Sequence, residues 1–428
     1  MYKNSQIKTM DSYFPVWDLL DALPGDFPLC LLTGGERFSI LAAAFEEISK
    51  EEILGATLGK ATQKFNPEIP FMTGYIGIIS YDDYFLQKSG ISSRFFKIYS
   101  ALIFDRKNKT VHLTGDPCHS NAAYKIPEQL LENHDKRAGR PFSEGIELIP
   151  AIPDGKYLRT VEKILDDIRK GRYYQLNYLR YFTCFEYIDC FSICSRLRNN
   201  GGPQSAWIRL PDLEIISFSP ERFVETYPEN GRLKIMTYPI KGTSSRKDDP
   251  VLDRLEYEKL QMSGKDQSEL HMIVDLMRND LHRICMPHSV EVIDGGKAHS
   301  FKKVHHLIAK ISGILRDNLT FRDFLNCLCP AGSITGAPKI EVMKAIREYE
   351  GRSRGWFMGN AFYWDISTGR FDSSVLIRTM VRTGQSSFEY AAGGGIVIKS
   401  RPLLELEEIN AKCRVLTDPL DADSYTEI

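Results

Sequence analysis

The chain has 428 residues, 43% of them hydrophobic and 26% charged, with 55 basic against 56 acidic side chains and a formal net charge of -1. This is the composition of an ordinary globular protein, and it argues against a nucleic-acid or polyanion binder. No apolar run approaches the roughly 20 residues of a membrane-spanning helix. The nine cysteines are odd in number and irregularly spaced, which points to a reducing compartment. Residues 1–5 lead into no apolar segment of signal type, so we expect a cytoplasmic protein. The length admits two or three domains, or one large α/β fold.

Residues 1–150 hold few candidate chemical groups. Residues 27–32 form an apolar strand closed by Gly34 and Gly35, and residues 37–41 resume as a strand or the start of a helix. Residues 71–81 read as another strand, with Gly74 and Gly77 where a neighbour approaches closely. Residues 101–105 and 110–113 read as a hairpin split by Arg-Lys-Asn-Lys. The composition then turns polar and proline-bearing over 121–153, which reads as a linker. Residues 157–170 fit an amphipathic helix, with Leu158, Val161, Ile164, Leu165 and Ile168 at helical spacing and Gly171 as its stop. Strands follow over 173–179, 205–210, 214–218 and 233–238. Residues 248–281 read as one long helical stretch, with Leu270, Ile273, Val274 and Met277 on one face. A glycine-rich turn opens a helix over 330–346, and alternating strands lead to a last helix at 403–416.

The chemistry centres on Pro239-Ile240-Lys241-Gly242-Thr243. Pro239 ends or edges the strand before it. Gly242 lets the backbone approach a ligand, and Thr243 adds a hydroxyl. A solvated surface lysine is the ordinary reading of such a residue by itself. Held at a strand end in an apolar wall, however, Lys241 loses stabilisation of its charge, and its free amine becomes a nucleophile. Glu269 and Glu408 sit on largely apolar helix faces and need partners. Magnesium held by one or two carboxylates and by substrate oxygens is one such partner; salt bridges are the other, and Lys412 lies at i,i+4 from Glu408. The Thr335-Gly336 loop opens a helix and offers N–H groups to an anion, although no Gly-Lys-Ser/Thr follows to make it a Walker loop. Gly393, Gly394 and Gly395 offer bare backbone to a flat ring. Arg378 ends an apolar strand where it can meet a carboxylate bidentately, His306 is a candidate acid, base or orienting group, and Glu221 is a general acid if burial raises its pKa.

Six stretches, taken in order, resemble the chorismate-utilising enzymes, the family that includes anthranilate synthase component I. They are residues 219–223 (Ser-Pro-Glu-Arg-Phe), 239–243, 272–280 (Met-Ile-Val-Asp-Leu-Met-Arg-Asn-Asp), 332–339 (Gly-Ser-Ile-Thr-Gly-Ala-Pro-Lys), 377–379 and 393–397. The likeness covers nearly the whole chain and is densest over 153–417. Within the family the chain looks like the aminodeoxychorismate-forming branch. Anthranilate synthases carry alanine where Lys241 stands, and the water-adding members carry a lysine at the position of Gln175. His282, Glu341, Phe362 and Lys399 depart from the family pattern.

The resemblance implies an α+β fold of large antiparallel sheets packed together and flanked by helices. It implies a single unit in which residues 1–150 share the core with a catalytic region, 151–428. It further implies that Lys241 attacks C2 of chorismate, Glu221 protonates the departing C4 hydroxyl, and ammonia adds at C4. Glu269 and Glu408 would hold Mg2+. Arg378 and Tyr363 would bind the pyruvyl carboxylate. Thr243, Thr335, Gly336, the 393–395 glycines and Lys412 would complete the substrate-binding set, with His306 beside the ring. No cysteine stands in the Gly-x-Cys-x-Gly setting of a glutaminase nucleophile, so ammonia would come from solution or from a separate glutamine amidotransferase subunit. Two other readings compete: an anthranilate-forming relative, and a silent subunit that only docks a glutaminase. The presence of Glu221, Lys241, Glu269 and Glu408 argues against the second.

Overall fold

Strands that are apolar on both faces decide the architecture. In Leu29–Gly34, Leu29 and Leu31 enter one hydrophobic cluster while Cys30 and Leu32 enter another. Successive strand side chains point to opposite faces, so a continuous apolar run needs cover on both. A computed structural model of the chain shows how that cover is supplied. It describes residues 6–9, 13, 15–21, 27–58, 69–84, 93–115, 145–185, 187–301 and 304–419. Residues 121–144 of the expected linker lie outside this set.

Among the described residues, twenty strands join through antiparallel ladders into one wrapped sheet flanked by helices. The N-terminal strands are interior members of it. Leu29–Gly34 pairs on one edge with Phe38–Ile48 and on the other with Ala206–Arg209. Gly74–Ile79 pairs with Arg94–Asp105 and with Asn360–Asp365. The expected α+β class is the one observed, and the N-terminal strands pack into the same clusters as the later ones. Of residues 37–41, Arg37 ends a turn and 38–41 open the strand Phe38–Ile48, and the 101–113 hairpin forms as Arg94–Asp105 with Thr110–Gly115.

Three local differences shape the site. The long helical stretch is two helices, Pro250–Gln261 and Gly264–His282. Ser263 interrupts it because its hydroxyl competes for backbone N–H groups, here accepting from Asp266 N at 3.3 Å as the N-cap of the second helix. Next, Glu291–Ser300 and Val304–Ile314 are strands where the sequence suggested none. The second pairs with Ile240–Ser245 and places His306 opposite Thr243. Finally, Phe362 stands against Gly77, where an added Cβ would come within 2.4 Å of its ring. The ring fills that space and stacks on Phe371 at 5.0 Å.

Candidate active site

Pro239 closes the Arg232–Thr237 strand, and the chain re-enters the sheet at once as Ile240–Ser245. Lys241 is thus inside a strand pair rather than at a free strand end. Its register against Val304–Ile314 slips between Lys241 and Thr243, because Gly242 sits at φ +63° as an extra, bulged residue. A Cβ at Gly242 would meet Leu260 Cδ1 at 2.8 Å and Asp266 Cβ at 3.0 Å, so only glycine fits. The wall around Lys241 is not apolar either. Its charge draws down the carboxyls of Glu221, Glu269 and Glu408, which face it from three separate elements.

The 331–335 loop lies between Lys241 and Glu221. Lys241 Nζ donates to the Ser333 carbonyl at 3.4 Å, and Ser333 Oγ donates to Glu221 Oε1 at 2.7 Å. Burial pushes the Glu221 carboxyl up, while Lys241, the Ser333 hydroxyl, Lys412 and Arg378 pull it back; the net direction is upward. That is the shift a general acid needs. Arg378 occupies the connection between Arg370–Val375 and Thr379–Thr383 at φ +50°, rather than ending a strand. Burial lowers its guanidinium pKa, and Tyr390 and Glu221 oppose this. Among the described residues no hydrogen bond or ion pair occupies that guanidinium, which leaves it open to an anion.

His306 Nδ1 lies 3.0 Å from Thr243 Oγ1 and 3.3 Å from the Gly242 carbonyl. Burial lowers its pKa, the Gly242 carbonyl works the other way, and Arg378 adds to the lowering, so the ring is held toward its neutral form. With Nδ1 spent on the bulge, His306 steadies the turn that carries Lys241.

Two further carboxylates that feel the Lys241 charge come from the helices Gly264–His282 and Pro402–Thr417. Among the described residues no hydrogen-bond donor reaches the buried Glu269 Oε1, and Lys265 Nζ stands 3.7 Å away. Burial raises the Glu269 carboxyl; Lys265 and Lys241 lower it, and Asp266 and Glu408 add to the rise. Glu408 is half-exposed. Burial raises it too, but Lys412, hydrogen-bonded at 2.5 Å, acts with Lys241 and Lys265 in the other direction, and the net shift is downward. Glu405, one turn earlier on the same face and missed by the sequence reading, is buried at 6% exposure. A Cβ on Gly394 would lie 3.4 Å from both Glu405 Oε2 and Glu408 Oε1. The i,i+3 spacing of these acids was the available signal. Such hard oxygens, one of them without a hydrogen bond among the described residues, fit a magnesium ion completed by substrate oxygens. Among the described residues, no three His, Cys, Asp or Glu side chains converge into a ready-made metal cage.

Several expected contacts are otherwise employed. Tyr363 does not face Arg378. Strand parity turns its side chain into a buried pocket with Leu32, Thr33, Gln204 and Asp372, against the edge of Phe71 at 6.0 Å. Thr335 Oγ1 donates to the Ala331 and Gly332 carbonyls at 3.0 and 3.2 Å, bracing its own loop instead of meeting a ligand. A Cβ at Gly336 would strike the Gln175 carbonyl at 2.0 Å, one at Gly393 the Tyr178 carbonyl at 2.1 Å, and one at Gly395 the Gln175 amide at 2.7 Å. Gly336 and Gly393 are needed for close backbone contact in the sheet, Gly395 faces the end of the Gln175 side chain, and Gly394 faces the acids. Lys412 Nζ also donates to the Gly393 carbonyl at 2.6 Å, tying the last helix to this strand.

A buried ion pair holds the loop from behind. Arg354 Nη2 lies 2.7 Å from Glu350 Oε1, at 1% and 0% side-chain exposure. Arg354 also donates to the Ile334 carbonyl at 2.9 Å and the Asn177 carbonyl at 2.7 Å. Glu350 accepts from Leu179 N at 3.0 Å and Tyr181 OH at 2.8 Å. No sequence motif announced this pair.

Comparison with known proteins decides the family. The chorismate binding enzyme model matches residues 30–418. The chain belongs to the chorismate-binding enzymes. Among this family it is 34% identical over 367 residues to aminodeoxychorismate synthase component 1 of Salmonella typhimurium, covering 83% of this chain and 78% of that one. To the protein of the same name from Escherichia coli it is 31% identical, over 89% and 85% of the two chains. Anthranilate synthase component I from Streptococcus pneumoniae superposes with a TM-score of 0.74 at 26% identity, covering 97% of this chain and 93% of that one. The menaquinone-specific isochorismate synthase of Escherichia coli shares the fold at a TM-score of 0.72, over 97% and 95% of the two chains, at 16% identity. As a chorismate-binding enzyme the chain acts on chorismate. Among the described residues no helix is long and apolar enough to cross a membrane.

Proposed function

We propose that this enzyme aminates chorismate to 4-amino-4-deoxychorismate, a step toward para-aminobenzoate and folate in the cytoplasm. The observation that carries the reading is Ser333 standing between an amine, Lys241, and a carboxyl of raised pKa, Glu221. The likeness to proteins named aminodeoxychorismate synthase component 1 supports it.

In the first half-reaction the Lys241 amine forms a bond to C2 of the ring, the double bonds shift, and the C4–O bond breaks. Glu221 gives its proton to the departing hydroxyl, which leaves as water. In the second half, ammonia bonds to C4 and the C2–Nζ bond breaks. Lys241 then departs as a neutral amine, and the Glu221 carboxylate takes the extra proton from the new ammonium. Lysine and glutamate end as they began, and the net change is chorismate plus ammonia to aminodeoxychorismate plus water.

Arg378 meets the pyruvyl carboxylate with a guanidinium that no described residue pairs. Glu269 and Glu408, supported by Glu405, would hold magnesium, which when bound supplies positive charge for the ring carboxylate. Ammonia comes from solution or from a separate glutamine amidotransferase, since no cysteine of this chain has the setting of that nucleophile.

The test is the product formed from chorismate, ammonium and magnesium, identified by mass spectrometry. The expected product is 4-amino-4-deoxychorismate. Anthranilate as the main product would sink the amination reading in favour of the anthranilate-forming one, and no turnover would favour a docking subunit.

A further inference from the structure

Ser333 has no assigned role, yet it touches both reacting groups. Its carbonyl takes an N–H of Lys241 at 3.4 Å and its hydroxyl reaches Glu221 Oε1 at 2.7 Å. It is 8% exposed, so neither contact has much competition from water. Its neighbours in the loop are braced on both sides. In front of it, a Cβ on Gly332 would lie 2.5 Å from Leu276 Cδ2. Behind it, Arg354 fixes the Ile334 carbonyl and Thr335 ties back to Ala331 and Gly332.

We propose that Ser333 is a positioning residue that couples nucleophile and acid, its carbonyl aiming the Lys241 amine and its hydroxyl aiming the Glu221 carboxyl. This rests on the amination reading above. The physical content is directional. A carbonyl that accepts one N–H of a neutral amine turns the amine's lone pair away from itself, toward the space the ring occupies. A hydroxyl that donates to Oε1 makes Oε1 the accepting oxygen of the protonated acid, so the acid proton resides on Oε2. Among the described residues no hydrogen bond engages Oε2, which is left for the leaving hydroxyl. Ser333 itself neither gains nor loses a proton. Attack at one ring carbon and protonation at another need both groups aligned together, and alignment to within about 1 Å is worth roughly 10²-fold in rate.

The charged groups that act on Glu221 are Lys241, Lys412 and Arg378, and all three remain when Ser333 is changed. In Ser333→Ala the carboxyl loses a hydrogen bond that favours its ionised form, so its pKa rises further. Activity needs Glu221 protonated, so the limb on which rate falls with rising pH moves to higher pH. We expect kcat to drop about 10- to 100-fold, with KM for chorismate and the magnesium requirement unchanged. Ser333→Thr keeps the hydroxyl and restores most of the rate and the original limb.

Full activity with an unmoved pH profile in Ser333→Ala would overturn the coupling. So would a loss that Ser333→Thr does not repair and that leaves the profile where it was, since that is a merely structural defect. If the wild-type enzyme makes anthranilate, the amination reading fails, and the same kcat and pH comparison on that product still tests Ser333. If it turns over nothing, infrared titration of the Glu221 carboxyl in both proteins reads the contact alone. A shift upward in Ser333→Ala supports it, and an unshifted carboxyl overturns it.

Discussion

The two sides of the 331–335 loop carry charge in opposite ways. Behind the loop, Arg354 and Glu350 are fully buried and saturated. The guanidinium reaches a carboxylate and two carbonyls, and the carboxylate accepts from an arginine, a backbone N–H and a tyrosine. In front of it, Lys241 has one long contact, Glu221 one short one, Glu269 Oε1 no hydrogen-bond donor, and Arg378 no partner among the described residues. Satisfied buried charge makes a scaffold. Charges that face one another with bonding capacity to spare make a site for a ligand with several oxygens. The loop joins the two, since the Ile334 carbonyl belongs to the first and Ser333 to the second.

Substitutions that break the front should cost rate and spare the fold, and substitutions behind should do the reverse. The largest rate effect short of the nucleophile is expected from Glu221→Gln, which cannot donate an acidic proton. Turnover should fall by about 10²–10⁴-fold while thermal unfolding is unchanged. In the unaltered enzyme the rate should fall as pH rises through the Glu221 pKa, and this limb should lie above the ordinary carboxylate range because burial raises that pKa. The limb should vanish in the glutamine variant, as a pH–rate profile will show.

Arg354→Ala strands the Glu350 carboxylate in the interior. It should cost about 3–5 kcal/mol of stability, measured by urea unfolding, with an aggregated or unfolded product at growth temperature as its extreme. Glu269→Gln removes one hard, charged oxygen. It should raise the magnesium concentration for half-maximal activity by about tenfold and weaken chorismate binding with it; a normal magnesium dependence would refute the ligand assignment. The smallest effect should come from Tyr363→Phe. Its buried hydroxyl has no hydrogen bond among the described residues and lies away from Arg378, so removing it should leave KM for chorismate within about twofold and stability unchanged or slightly higher.

What was legible in the sequence follows the same division. Lys241, Glu221, Glu269 and Glu408 stand in local patterns whose chemistry can be read from residue type, and the three carboxylates do lie within electrostatic reach of Lys241. The strands were legible where a short apolar run is closed by turn residues, as at 27–32 before Gly34 and Gly35, and at 101–113 around its polar turn. Direction was not. Tyr363 shows why: one residue of parity sends a strand side chain to the opposite face, and local sequence does not say which face holds the ligand. The 393–395 glycines are similar, since a glycine needed for sheet contact and one facing a ligand are the same letter. Arg354 was illegible for another reason. Its partners lie at Glu350, Ile334 and Asn177, and only the first is near in sequence. The helix break at Ser263 was missed by the reading of 248–281 as one stretch, although a Ser-Gly pair inside a helical pattern is a restart signal.

The claim on which the rest depends is that Lys241 attacks the ring. The direct measurement is intact-protein mass after rapid quench of the enzyme with chorismate and magnesium but without ammonia. A covalent ring adduct that maps to Lys241 and disappears when ammonium is added is the predicted result. Lys241→Ala should give no adduct and should lose about 10³-fold or more of the amination rate while still binding chorismate. An enzyme that forms no adduct, together with a Lys241→Ala variant that makes 4-amino-4-deoxychorismate at the wild-type rate, would contradict it and leave this lysine an electrostatic role alone.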